Sequence, residues 1–220
     1  MIFRFERIII ALVFAAVMSM PAIASDDTGG TPLASFGAGA TFGSYDVIAT
    51  GSDQLIWKGG TGYGGGLMFE YMWNQVFGIH SGFWYAVSTI ELKFNENDPV
   101  TIDARTEHFW MPLYLITSYR SGMFGIGLLT GMNFMYVHKC EFLVDSPMGS
   151  DELDVTEYMR YDLYGIAGGL ELKIGVTRFI DICIGGMAEI YARGFIKSTS
   201  RTQDYLYDFR FFTGVLFRTY

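Results

Sequence analysis

The segment that decides the fold reads YGIAGGLELKI, from Tyr164 to Ile174. Its even-numbered positions carry mostly large apolar side chains, such as Leu170. Its odd-numbered positions carry only small or charged residues, among them Glu171 and Lys173. Because side chains alternate between the two faces of a β-strand, this period of two predicts a strand with one apolar face and one small or charged face.

The same alternation recurs along most of the chain. Residues 62–73 read GYGGGLMFEYMW, with Leu67 and Phe69 on one face and Glu70 among glycines on the other. Eight such segments can be delimited. They are Ala34–Asp46, Thr61–Trp73, Val76–Phe94, Ile102–Tyr119, Gly122–His138, Tyr158–Gly175, Arg178–Phe195 and Tyr205–Tyr220.

Short and long connections alternate between these segments. Tight turns are predicted at 74–75, 120–121 and 176–177, and longer loops at 47–60, 95–101, 139–157 and 196–204. Tight turns at one rim and long loops at the other are typical of an outer-membrane barrel, in which the turns face the periplasm. An even number of strands places both chain ends at the periplasmic rim.

The apolar faces of the segments are interpreted as facing lipid. Half of the residues are apolar, yet beyond the N-terminal segment no apolar run is long enough for a transmembrane helix. Backbone polar groups inside a bilayer are satisfied only in helices and in closed barrels. The sequence therefore predicts an all-β fold, an eight-stranded antiparallel up-and-down transmembrane β-barrel in the outer membrane.

The N-terminus carries the features of a secretory signal. Two arginines precede an apolar stretch from Ile8 to Met20, and small residues follow up to Ala24. The stretch is shorter than the ~20 residues of a spanning helix, and this order of basic, apolar and small residues is typical of a cleaved signal peptide. The predicted organisation is a signal peptide at 1–24, a short periplasmic segment at 25–33 and the barrel at 34–220.

Composition and motifs exclude several classes of function. The net charge of −8 and the pI of about 4.8 argue against binding of nucleic acid. The sequence contains no P-loop, no zinc-ligand spacing and no Gly-x-Ser-x-Gly motif. We therefore expect a protein that is not an enzyme and that needs no cofactor. The two cysteines, Cys140 and Cys183, fall on segments that are not neighbours, so both are predicted to be free thiols.

Charged residues on the inward parity are predicted to pair inside the barrel. Eight strands leave an interior just wide enough for side chains, and buried charges there need partners. Residues directly opposite in a hairpin have a constant index sum, which gives three candidate lumen pairs. The pairs are Glu70 with His80, Lys173 with Asp181, and Glu189 with Arg210. We interpret them as parts of a packed plug; a path for protons or ions is the alternative.

The strand pattern resembles that of a known family. Besides the Gly-rich strands, the stretches Phe109–Leu113 (FWMPL) and Gly214–Tyr220 (GVLFRTY) carry the likeness, which covers residues 34–220. The chain is similar to the small eight-stranded outer membrane protein β-barrel domain family, which includes OmpX and the OmpA membrane domain. The resemblance implies a C-terminal aromatic insertion signal, at Phe217 or at Tyr220, that the barrel assembly machinery reads. It also implies contact with outer-membrane lipid and lipopolysaccharide, and we expect a monomer.

Three functions are compatible with such a barrel. The leading hypothesis is a non-enzymatic barrel whose surface loops serve envelope structure, adhesion or contact with a host or surface ligand. The strand-breaking Pro112 favours an alternative, the transport of small hydrophobic molecules through the barrel wall. A third hypothesis is a lipid A-modifying enzyme. Some members of this size class use a histidine near the outer rim that faces lipid, and His138 is predicted to lie at that height with its side chain pointing outward.

The third long loop, at 139–157, is strongly acidic. A solvated acidic surface is the preferred interpretation, because the ligand spacing of an EF-hand is missing. A site for a divalent cation or for a cationic partner is the alternative. The acidic residues of this loop are Glu141, Asp145, Asp151, Glu152, Asp154 and Glu157.

Overall fold

A closed ring of strands forms the protein in the computed structural model, which describes residues 33–50, 56–93, 99–194 and 203–219. The predicted signal peptide at 1–24 and residues 25–32 of the predicted periplasmic segment lie outside the described residues, as does Tyr220. The strands are β1 (Leu33–Thr50), β2 (Ile56–Met72), β3 (Phe77–Lys93), β4 (Thr101–Ser121), β5 (Phe124–Ser146), β6 (Gly149–Asp154), β7 (Asp162–Gly175), β8 (Ile180–Gly194) and β9 (Gln203–Thr219), with one 3-10 turn at Thr156–Tyr158.

The ring closes because its first and last strands pair. β1 and β9 are antiparallel from Ala34 opposite Thr219 to Thr50 opposite Gln203, and β5 pairs with both β4 and β7. This confirms the predicted eight-stranded antiparallel up-and-down barrel, to which β6 is added as a short strand outside the ring. Within the described ranges, no helix is long and apolar enough to cross a membrane.

The two faces of the wall are inverted relative to those of a soluble barrel. On β7, the side chains of Ile166 and Leu170 are 68% and 56% exposed, whereas those of Glu171 and Lys173 are buried. On β9, Arg210 is buried in the same way, between exposed phenylalanines. An apolar outer surface around a polar interior is the arrangement of a barrel whose outside contacts lipid. The chain is therefore built to span a membrane.

Short turns close one end of the ring. In the β2–β3 turn, the Asn74 side chain accepts hydrogen bonds from the backbone N–H groups of Val76 and Phe77, at 2.8 and 2.7 Å. In the β4–β5 turn, Gly122 has a φ of +61°, which glycine adopts without strain. The pair of Ala34 on β1 and Thr219 on β9 also lies at this rim. This rim is therefore the periplasmic end.

The opposite end carries β-structure where a loop was predicted. Within 139–157, β5 continues to Ser146 and β6 returns antiparallel to it from Gly149. The prediction of a loop was wrong because the acidic residues alternate with apolar ones such as Phe142 and Val144, and the high charge obscured this strand pattern. We call the four-stranded extension at this end the outer sheet. It comprises residues 87–93 of β3, 101–107 of β4, 139–146 of β5 and all of β6.

Pro112 interrupts the ladder between β3 and β4. Backbone pairing is absent between Ser81 and Trp84 on β3, and the carbonyl of Pro112 accepts a hydrogen bond from the Ser81 hydroxyl at 2.8 Å. On the lumen side, the rings of Trp84 and Trp110 stack with centroids 5.1 Å apart. A Cβ added at Gly82 would lie only 2.7 Å from Nε1 of Trp84. The interruption is thus confined to the two residues between Ser81 and Trp84, and packed aromatic rings lie on its lumen side.

Candidate functional site

Four buried side chains form a charged cluster near the periplasmic end of the lumen. We call it the lower cluster; it consists of Glu70, His80, Glu171 and Lys173. Glu70 on β2 lies directly opposite His80 on β3, and Oε2 of Glu70 is 3.7 Å from Nδ1 of His80. Glu171 and Lys173 project into the lumen from β7. The barrel thus brings together groups that are far apart in the sequence.

Lys173 has other partners than the predicted one. It lies opposite Cys183 and not opposite Asp181, because the turn between β7 and β8 spans residues 176–179 and not only 176–178, on which the predicted pairing rested. Its ammonium group bonds to Glu70 across the lumen and lies 3.3 Å from Oε2 of Glu171. The lysine therefore links two carboxylates inside the barrel.

Asp181 pairs with two arginines at the periplasmic rim. Arg120, near the end of β4, donates two hydrogen bonds to its carboxylate at 3.0 and 2.8 Å, and Arg218 on β9 approaches it to 3.1 Å. Bidentate arginine–carboxylate pairs are among the stronger polar contacts in proteins. The constant index sum of a hairpin relates only neighbouring strands. It could not identify Arg120 as a partner of Asp181, because β4 does not neighbour β8 in the ring.

A second charged cluster lies farther from the periplasmic end. The upper cluster, as we call it, is centred on Glu189, Asp208 and Arg210. The predicted pairing of Glu189 with Arg210 in register was wrong, since Glu189 lies opposite Asp208 and Arg210 opposite Met187. An irregularity between Ile190 and Gly194 shifts the ladder by two residues. Arg210 still bridges both carboxylates, at 3.0 Å from Asp208 and 3.5 Å from Glu189.

Neutral side chains complete the upper cluster. Tyr114 and Tyr191 donate hydrogen bonds to the Glu189 carboxylate at 3.0 and 2.9 Å, and the amide of Asn133 donates a further one. The guanidinium of Arg210 lies 4.3 Å from the ring centroid of Trp110, a cation–π arrangement. Sequence reasoning missed Tyr114, Trp110 and Asn133 because their strands, β4 and β5, do not neighbour β8. It missed Tyr191 because this residue lies on β8 itself, two positions after Glu189.

A vestibule of about 880 Å³ opens at the periplasmic end. Its lining includes Ser35, Ser118 and Arg120, together with Glu70 and Lys173 of the lower cluster. Above these two residues, the lumen is occupied by the rest of the lower cluster, the upper cluster and the stacked tryptophans. This filling supports the interpretation of the charged residues as a packed plug.

The other residues singled out from the sequence lie apart from both clusters. Phe217 is exposed on the lipid-facing side of β9, in phase with the other outward phenylalanines, whereas Tyr220 is outside the described residues. The choice between them as insertion signal stays a prediction. His138 is exposed at a β-bulge of β5. Cys140 and Cys183 are both buried and free.

One face of the outer sheet is acidic. Residues directly opposite each other share a face, so Glu91, Asp103, Leu143 and Glu152 form a row across its four strands. The other face of the β5–β6 hairpin is mainly apolar. We call the first the acidic face. Its acidic residues are Glu91, Asp103, Glu107, Glu141, Asp145, Glu152 and Asp154, and its basic residues are Lys93, Arg105 and Lys139.

The acidic residues of this face have different electrostatic environments. The ammonium of Lys139 lowers the pKa of Glu141, to which it is bonded. Partial burial raises the pKa of Asp103, and the nearby carboxylates of Glu91 and Asp145 raise it further. Asp103 is directly opposite Glu91, and like charges in that position are destabilising. The acidic face therefore contains a pair of carboxylates that repel each other.

Replacing Asp103 with asparagine, D103N, is expected to raise the free energy of unfolding by about 0.2–1 kcal/mol at neutral pH. Because the pKa of Asp103 is higher in the folded than in the unfolded state, the repulsion weakens as pH falls through the folded pKa. The gain from D103N should therefore disappear below about pH 4, the unfolded value. Urea unfolding at several pH values measures this. E107Q is the control, since Glu107 is opposite Lys139; a gain in E107Q but not in D103N would contradict the argument.

Solved structures resemble this chain in fold. No family model matches it, and no curated protein does. The outer membrane protein OprG from Pseudomonas aeruginosa has a TM-score of 0.53 and 13% identity, over 87% of this chain and 97% of OprG. The attachment invasion locus protein Ail of Yersinia pestis has a TM-score of 0.46 and 13% identity, over 87% and 100%. With its apolar outer wall and closed ring, the chain has the fold of the small outer membrane β-barrel proteins and is an integral barrel of the outer membrane.

Proposed function

We propose that the barrel is a non-enzymatic scaffold that presents the acidic face of the outer sheet to a cationic partner at the cell surface, in adhesion or in contact with a host or surface ligand. The observation that carries this proposal is the location of the acidic residues on paired strands. A surface that is ordered before binding loses less conformational entropy when the partner arrives.

The charge distribution supports a cationic partner. Glu91 and Asp103 lie directly opposite each other, and Asp145 is close enough to raise the pKa of Asp103. A partner that brings positive charge to this row removes the repulsion and gains attraction. The repulsion in the free protein thus becomes part of the binding free energy.

The alternatives have weaker support. Passage through the wall is favoured by the interrupted ladder at Pro112, but the lumen behind it is filled by the stacked Trp84 and Trp110 and by both charged clusters. Catalysis on lipid A was suggested by His138 alone, and a lone histidine is weak support for an active site. The proposal therefore includes neither transport nor a catalytic step.

Binding of a short poly-lysine peptide to the full barrel in lipid nanodiscs tests the proposal. Isothermal titration is expected to detect binding that weakens as salt rises, because the charges are at the surface. The triple variant D103N/D145N/E152Q should bind about tenfold more weakly, or ~1.4 kcal/mol. The control D151N removes one charge from the opposite face of the same hairpin and should keep wild-type affinity. Equal losses in both variants, or binding that is insensitive to salt, would contradict the proposal.

A further inference from the structure

The lower cluster contains more negative than positive charge. The carboxylates of Glu70 and Glu171 face one ammonium group, that of Lys173. All three side chains are more than nine-tenths buried. Buried charge without compensation is costly, so the cluster favours the uptake of a further positive charge, either a proton or a metal cation.

Several potential ligand atoms of this cluster lack hydrogen bonds. Nδ1 of His80 and Oε1 of Glu171 are buried and have no hydrogen-bond partner among the described residues. Oε2 of Glu171 has only the ion pair with Lys173 at 3.3 Å. The rings of Tyr114 and Phe212 contact the imidazole, at centroid distances of 6.2 and 6.1 Å, and orient it. One nitrogen or oxygen atom from each of Glu70, His80 and Glu171 lies within 4.8 Å of the other two. An imidazole and two carboxylates therefore converge on one point.

We propose that Glu70, His80 and Glu171 bind a divalent metal ion of the zinc class inside the barrel. Imidazole nitrogen and carboxylate oxygen are ligands that zinc accepts, and three protein ligands leave a fourth position open. An ion with two positive charges balances both carboxylates. Zinc bonds of ~2.0–2.2 Å require ligand atoms about 3.4 Å apart, so the side chains close in by roughly 1 Å. The proposal does not rest on the function proposed for the outer sheet.

Lys173 competes with the metal for the same carboxylates. Its ammonium group contacts both Glu70 and Glu171, so it has to move away when an ion binds. Glu70 and Lys173 both line the vestibule, which gives the ion a route from the periplasm and gives the lysine side chain space to turn into. Binding is therefore weaker in the unaltered protein than in a variant without this lysine.

Zinc titration of the full barrel tests the proposal. The untagged protein, refolded in detergent and freed of metal by a chelator, is titrated with zinc chloride while heat and Tm are recorded. We expect one zinc ion per chain, a Tm that rises with zinc concentration and tighter binding in K173M. Cobalt is expected to bind in its place and to give the visible absorption of a tetrahedral site with nitrogen and oxygen ligands.

Variants locate the bound ion. H80Q and E171Q are each expected to weaken zinc binding more than about tenfold, because loss of a ligand costs at least as much as loss of its outer partners. H138Q removes an exposed histidine and E189Q a buried carboxylate of the upper cluster, and both should bind zinc as the wild type does. Heat-modifiable gel mobility shows whether each variant is folded.

Two results overturn the metal site. One is zinc binding that persists in folded H80Q but is lost in H138Q, which assigns the ion to the surface. The other is a lack of zinc binding in both the wild type and folded K173M. This result does not depend on whether H80Q or E171Q folds. In that case the excess negative charge of the lower cluster is met without a metal ion.

Discussion

The variant R210M is expected to lower the free energy of unfolding of the barrel by about 3–5 kcal/mol. Arg210 is 1% exposed and is the cation between Asp208 and Glu189. Without it, two buried carboxylates face each other with no positive charge of the upper cluster beside them. Unfolding in urea from lipid vesicles, followed by tryptophan fluorescence and by heat-modifiable gel mobility, measures the loss.

The triple variant E189Q/D208N/R210M separates charge from packing. Neutral side chains of similar volume need no counter-charge, so the triple variant should regain most of the stability that R210M loses. R178M is the control, because Arg178 is exposed at the β7–β8 turn and should cost less than about 1 kcal/mol. If R210M costs no more than R178M, or if the triple variant is as unstable as R210M, the ion bridge does not hold the upper cluster together.

Strand identity and facing could be predicted because they are local properties. Leu170 and Glu171 point to opposite faces whichever strands lie beside them, so the inverted wall follows from the period of two. The position of Glu70 opposite His80 also follows, since a tight turn and a ladder without irregularities separate them. Where a turn was longer than assumed, as after Lys173, the same arithmetic failed.

Contacts across the lumen could not be predicted in the same way. The bond between Lys173 and Glu70 joins residues 103 positions apart, and it depends on the stagger with which the ring closes. The index sum predicted for Glu189 and Arg210 does hold for Gly194 opposite Tyr205, near the loop, but an irregularity below it shifts the rest of the ladder. Nothing in the alternation of residues marks that irregularity.

Replacing Trp84 with alanine, W84A, is expected to cost about 3–5 kcal/mol of folding free energy. The side chain is 1% exposed and its ring stacks on Trp110 at an interplanar angle of 8°. Its removal leaves a cavity behind the interrupted ladder at Pro112, which surrounding strands cannot fill without breaking their pairing. Urea unfolding, under the conditions used for R210M, gives the size of the loss.

W84A also decides between a plugged lumen and a passage through the wall. The lower and upper clusters stay in place in this variant, so ion conductance in planar bilayers and uptake of small hydrophobic molecules into vesicles should remain at the wild-type level. W73A is the control, because the Trp73 side chain is 46% exposed at the periplasmic rim and does not belong to the packed plug. A gain of permeation in W84A but not in W73A would mean that Trp84 closes a path at Pro112. A loss of stability in W84A no larger than that in W73A would mean that the lumen is not packed around Trp84.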